Sequence, residues 1–158
     1  MISRNPLTIK EVKKKIEHYC AYQERSHLEV RKKLQGYNIS SGELEEIITE
    51  LILSGFLNEA RFAETFSSGK FRLKKWGKIK IKNGLLRKGV SPACIKKGLD
   101  SLNPDEYKKT LMELLEKKKS TFEQKIPDPL VQKKLADFVI QKGYEPELVW
   151  ESIKFHPE

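Results

Sequence analysis

The sequence predicts an all-α protein of three tandem three-helix modules, stacked into an elongated, curved body. Three observations carry that expectation. Gly36, Gly89 and Gly143 recur 53 and then 54 residues apart, each after a lysine-rich, leucine-containing stretch. Each stands where a helix would end in a left-handed residue, which glycine adopts without a Cβ clash. The apolar positions that follow repeat as well. Ile95 and Leu99 follow Gly89-Val90-Ser91-Pro92, and Val149 and Ile153 follow Gly143-Tyr144-Glu145-Pro146. Leu44 and Ile48 follow Ser40-Ser41 with the same spacing. Finally, 38% of residues are hydrophobic and 34% charged. That is more charge and less core than a compact enzyme carries, and it suits units that contact mainly their neighbours.

The elements follow in order. Thr8-Ile9-Lys10-Glu11 reads as a capping box opening a helix with Ile9, Val12, Ile16 and Tyr19 on one face. Ser26-His27-Leu28-Glu29 is a second box, before Val30 and Leu34. In the middle unit a long helix runs from Asn58 with Phe62, Phe66, Leu73 and Trp76 facing inward, and a second carries Ile81 and Leu85. Pro92 and Pro146 suit the first helical position, where the missing N–H loses no bond. Asn103-Pro104-Asp105-Glu106 starts a helix with Tyr107, Leu111 and Leu114, and Asp128-Pro129 starts one with Val131, Leu135 and Phe138. The modules are therefore 1–57, 58–102 and 103–158. The alternation at 78–82 has no turn or partner strand beside it and is outvoted by its helical neighbours. The loosest connection falls at 124–128, with Pro127 and Pro129 as breakers.

Nothing in the sequence forms a catalytic constellation. His18, His27 and His156 lie in different units without ligand spacing, and Cys20 and Cys94 form no C-x-x-C pair. Zincin, nucleophile-elbow and phosphate-loop motifs are missing; Gly69-Lys70 and Gly77-Lys78 each lack the following Ser or Thr. The expectation is a binding protein that needs no metal or nucleotide cofactor. With neither an apolar signal core nor a run long enough to span a membrane, it is expected in the cytoplasm.

Charge distribution points to the working surface. The net charge is +9, which favours polyanions. Residues 65–99 contain no Asp or Glu and eleven Lys or Arg, so the rest of the chain sums to −2. Such clustering is self-repelling unless a partner compensates it. A merely solvated lysine face carries interspersed Glu, as Glu11 and Glu17 flank Lys13, Lys14 and Lys15. The candidate contacts are Lys70, Arg72, Lys74, Lys75, Lys78, Lys80, Lys82, Arg87 and Lys88. Arg61 joins them because Phe62 and Ala63 fill the inward face; an ion pair with Glu64 is its alternative. Trp76 continues the inward face and is expected in the core, whereas Phe71 is left open between core and base stacking.

These residues resemble the RecX family of RecA regulators over nearly the whole chain, 8–155. The most specific segments are Asn58-Glu59-Ala60-Arg61-Phe62-Ala63-Glu64-Thr65-Phe66, Lys74-Lys75-Trp76-Gly77-Lys78-Ile79-Lys80-Ile81, and Leu85 with Lys88-Gly89-Val90. Glu29-Val30 with Lys33-Leu34 is similar to the first-unit pattern. Asn58 stands where the family usually has Asp, Gly84 interrupts the middle helix, and Leu34-Gln35-Gly36 is one residue shorter than the later endings. The resemblance implies three tandem three-helix modules. It also implies a non-enzymatic protein that binds the RecA filament on DNA and modulates, mostly by inhibition, recombinase and co-protease activity in DNA repair and the SOS response; a monomer is expected. Two other functions fit the charge: a stand-alone nucleic-acid-binding module, and a scaffold for acidic proteins.

Overall fold

A computed structural model describes residues 7–122 and 128–154. Among these the chain forms α1 (Ile9–Tyr22), α2 (His27–Gln35), α3 (Ser41–Leu53), α4 (Glu59–Gly69), a π-helical turn (Lys70–Lys74) and α5 (Lys78–Arg87). It continues through α6 (Pro92–Asp100), α7 (Pro104–Lys119), α8 (Asp128–Gln141) and α9 (Pro146–Lys154). No strand occurs among the described residues, and 78–82 opens α5. The closest helix packing falls within three successive triplets, α1–α3, α4–α6 and α7–α9, referred to below as units 1, 2 and 3. All but the last residue of the connection at 124–128 lies outside the described residues.

The helix starts are set by side chains that satisfy free N–H groups. Ser26 with Glu29 and Ser40 with Glu43 form complete capping boxes. Asn58, Ser91 and Asn103 cap α4, α6 and α7. At α1 only half the expected box forms: Thr8 Oγ1 accepts from the Glu11 N–H and donates to the Glu11 carboxylate. Of the three recurring glycines, Gly89 (φ 73°) and Gly143 (φ 103°) are left-handed. Gly36 is not. Its φ of −73° continues α2 in a tightened last turn, with its N–H bonded to Lys33 O and that of Tyr37 to Leu34 O. The shorter Leu34-Gln35-Gly36 ending leaves no extra residue to reverse the chain.

Unit 1 closes its own core around Val12, Ile16, Val30, Leu34, Ile47 and Leu51, sealed by Leu57. Units 2 and 3 share one continuous core that runs from Phe62, Ile81 and Leu85 to Leu111, Val139, Tyr144 and Val149. Each fully buried aliphatic side chain contributes about 1.5–3 kcal/mol relative to exposure. The tightest helix crossing is α4 on α6. A Cβ at Gly98 would lie 2.7 Å from Ala63 O and 2.9 Å from Ser67 Oγ. Small residues therefore set that crossing.

The middle unit corrects one expected face. The inward set of Phe62, Phe66, Leu73 and Trp76 assumes an unbroken α-helix. The π-helical turn inserts extra residue per turn and rotates the phase. Phe71 is thereby turned into the core at 6% exposure and Leu73 outward at 84%. Phe66 and Trp76 are half-buried against the core. Gly84, which interrupts α5, makes room for two rings: a Cβ there would meet the Phe66 ring at 2.8 Å and the Trp76 ring at 3.6 Å.

Candidate nucleic-acid interface

The basic stretch folds into a bend whose backbone is held from below by unit 3. The π-helical turn ends at Lys75, which has φ 58° and ψ 34° and is the one non-glycine residue with positive φ among those described. A left-handed lysine costs about 1–2 kcal/mol, so the surroundings must enforce it. They do so by hydrogen bonds. The Lys75 N–H donates to Phe71 O at 3.0 Å, and the Tyr144 hydroxyl donates to Lys75 O at 3.0 Å. Gly77 N–H donates to Lys142 O (2.8 Å) and Ile79 N–H to Gly143 O (2.9 Å). The Lys78 N–H donates to the Tyr107 hydroxyl at 2.9 Å, and that hydroxyl in turn donates to Glu145. Burial and the Glu145 carboxylate push the Tyr107 phenol above its ordinary pKa; burial first, then Glu145, does the same to Tyr144. Both phenols therefore stay protonated, as donors to these bonds require.

Above this seam the cations separate into groups. Lys70 Nζ lies 5.0 Å and Lys80 Nζ 4.8 Å from the Trp76 ring centroid, so two lysines flank the half-buried indole. Lys74, Lys80, Lys82 and Arg87 are exposed, and no carboxylate of the described residues pairs with them. Arg72 and Lys75 are also exposed, but they share a cleft with Glu106 and Glu113 of α7. The acid-free run in sequence is thus partly compensated in space on that side. Lys78 is half-buried, with Nζ 5.0 Å from the Tyr107 ring.

Two of the ten sequence-derived candidates sit at the other seam. Arg61 Nε pairs with Glu24 at 2.5 Å, and its guanidinium donates to Gly55 O at 2.9 Å. Its partner is Glu24 of unit 1 rather than Glu64. Lys88 Nζ lies 3.9 Å from Glu29. Both residues tie unit 2 to unit 1, and Arg61 stands at the opposite end of α4 from Lys70. No sequence spacing signals either pair, because each joins residues of different units.

Among the described residues no group of three or more His, Cys, Asp or Glu side chains could hold a metal ion. No described helix is long and apolar enough to cross a membrane. What the central unit offers is a bend, seated by backbone hydrogen bonds, that displays cations around an indole.

The chain is a helical-repeat protein with a cationic central unit. It belongs to the RecX family. Residues 58–99 match the family described as RecX, second three-helix domain. "Regulatory protein RecX" of Clostridium acetobutylicum is 29% identical over 133 residues, 82% of this chain and 61% of that protein. Its counterpart in Clostridium tetani is 30% identical over 131 residues, 82% of this chain and 58% of that protein. The chain spans about half to three fifths of the length of the curated relatives it matches. The crystal structure of RecX from Lactobacillus salivarius superposes with a TM-score of 0.86 at 23% identity, covering 92% of this chain and 94% of that one. At that identity the likeness establishes the fold. RecX is a family of regulatory proteins and not a known enzyme family.

Proposed function

We propose that this chain is a non-enzymatic regulator that binds the RecA filament on DNA and modulates, mostly inhibits, its recombinase and co-protease activities. It acts in the cytoplasm as a monomer and without a cofactor. Its units are 1–57, 58–102 and 103–158, laid along the filament with the central unit facing the phosphates. The observation that carries this reading is the exposed group Lys74, Lys80, Lys82 and Arg87, unpaired with any described carboxylate, around a bend seated on unit 3 by backbone bonds. A seated backbone keeps these cations clustered where they can neutralise neighbouring phosphates. Family membership supplies the recombinase as the partner. Lys70 belongs to the same surface, and Arg72, Lys75 and Lys78 border it. Arg61 and Lys88 serve by fixing unit 1 relative to the bend.

Co-sedimentation tests the reading. The protein should pellet with RecA assembled on single-stranded DNA, and more of it than with the DNA alone. Equal recovery on bare DNA favours the stand-alone nucleic-acid module. Recovery with neither leaves acidic proteins as the ligand and defeats the proposal.

A further inference from the structure

Unit 1 carries a second basic surface that the proposed function does not use. An open groove of about 470 Å³ lies between α1, the α1–α2 connection and the end of α2. Lys14 and Lys15 of α1, Arg25 of the connection and Lys33 of α2 line it, and no carboxylate does. None of these four pairs with a carboxylate among the described residues. The acids interspersed with them in sequence are turned elsewhere. Glu11 bonds Thr8, Glu17 faces the cleft toward α3, and Glu24 and Glu29 reach across to Arg61 and Lys88 of unit 2. Packing within unit 1 draws Glu11 and Glu17 away from the groove, and packing on unit 2 draws away Glu24 and Glu29.

Its floor is aromatic. The Arg25 guanidinium carbon lies 3.7 Å from the Tyr19 ring centroid, and Arg25 Nε donates to Tyr19 O at 3.0 Å. The guanidinium is held from two sides, and no hydrogen bond to a described residue uses its terminal nitrogens. Lys33 Nζ lies 5.5 Å from the same ring. Tyr22 stands at the rim, 77% exposed, and Tyr37 is half-buried. Lys14, His18 and Tyr22 are four residues apart along α1, a row about 12 Å long.

We propose that this groove binds a single strand of nucleic acid, with a base stacked on Tyr22 and neighbouring phosphates on Lys14, Lys15 and Arg25. Cations beside exposed ring faces, one of them the held Arg25, are what an unpaired nucleotide engages with both its halves. An acidic peptide would use the cations and leave the tyrosines idle. The site is separate from the basic bend and involves no recombinase.

The test uses the full chain with Lys74, Lys80, Lys82 and Arg87 already changed to Gln, so that the bend does not contribute. Fluorescence anisotropy measures binding of a short labelled oligothymidylate, with polyphosphate and polyglutamate as competitors. Adding Tyr22→Leu should weaken the oligonucleotide at least about fivefold, a lost base stack, and leave polyphosphate competition unchanged. Lys14→Gln with Lys15→Gln should weaken both. Tyr22 is exposed, so its replacement spares the fold. Oligonucleotide affinity unchanged by Tyr22→Leu overturns the proposal, as does an equal loss for polyphosphate. Polyglutamate competing as well as polyphosphate assigns the groove to acidic proteins instead.

Discussion

Replacing Gly77 with alanine should pry units 2 and 3 apart. The Gly77 backbone, at φ −80° and ψ 169°, suits alanine, so the penalty is steric alone. The new Cβ would lie 2.3 Å from Gly143 C and from Tyr144 N. Non-bonded carbons rest at about 3.5 Å, so the facing turn must retreat by roughly 1 Å. That breaks or strains the bonds from Gly77 N–H to Lys142 O and from Ile79 N–H to Gly143 O. At about 1 kcal/mol net for each bond and more for donors left buried, the loss is about 2–4 kcal/mol. The stiffer unfolded chain returns about 0.4–1 kcal/mol. The net loss lowers Tm by about 4–12 °C in a chain of this size. Thermal melts followed by far-ultraviolet circular dichroism measure it. Gly69→Ala is the control: nothing lies within 4 Å of its Cβ and its backbone is helical, so it should stabilise slightly. A Gly77→Ala protein melting with the parent, or a Gly69→Ala protein losing as much, would refute the seam.

Three further outcomes follow from the packing. Gly98→Ala should cost about 1–3 kcal/mol by overpacking the α4–α6 crossing, read from urea unfolding, with Ser67→Gly as a second change that restores part of the loss. Arg61→Ala should lower stability by about 1 kcal/mol, and Glu24→Gln with it should add little, because the two share one interaction. Cys20, buried with its thiol pushed up to about 11 by that burial, should resist alkylation in the native protein and react on unfolding. Its neutral form is favoured by folding, so that contribution to stability is intact below pH about 9 and lost as pH rises toward 11.

Most helices were legible because caps and apolar period agree. Val12, Ile16, Val30, Leu34, Ile81, Leu85, Leu111 and Val149 are all buried as their spacing predicts. The misreadings share a cause: local geometry that departs from a regular period. A π-helical turn gives no separate sequence signal, so Leu73, expected inward, is exposed, and Phe71, which the sequence left open, is in the core. Gly36 ends its helix one residue early and never needs the left-handed region. The central cations were legible as a run, but their sorting was not. Glu106, Glu113, Glu24 and Glu29 reach them from other units, and only tertiary packing brings those carboxylates near. Unit 1 shows the reverse: Lys14 and Lys15 look neutralised in sequence, yet their neighbouring glutamates face away.

The central claim is that the bend around Trp76 seats the protein on phosphates within the recombinase filament. The most direct measurement changes Lys74, Lys80, Lys82 and Arg87 to Gln together. It then follows binding to RecA filaments, and inhibition of RecA, across a salt series. All four side chains are exposed and none pairs with a described carboxylate, so the fold should be preserved. Each cation that met a phosphate removes about 0.7–0.9 from the slope of log affinity against log salt. The account predicts a shallower slope, weakening greatest at low salt, little dependence on base sequence, and inhibition falling in parallel. A charge-matched change at Lys117, Lys119, Lys133 and Lys154, exposed on unit 3, should do less. Undiminished inhibition after the central change, or equal losses from both, would contradict the account.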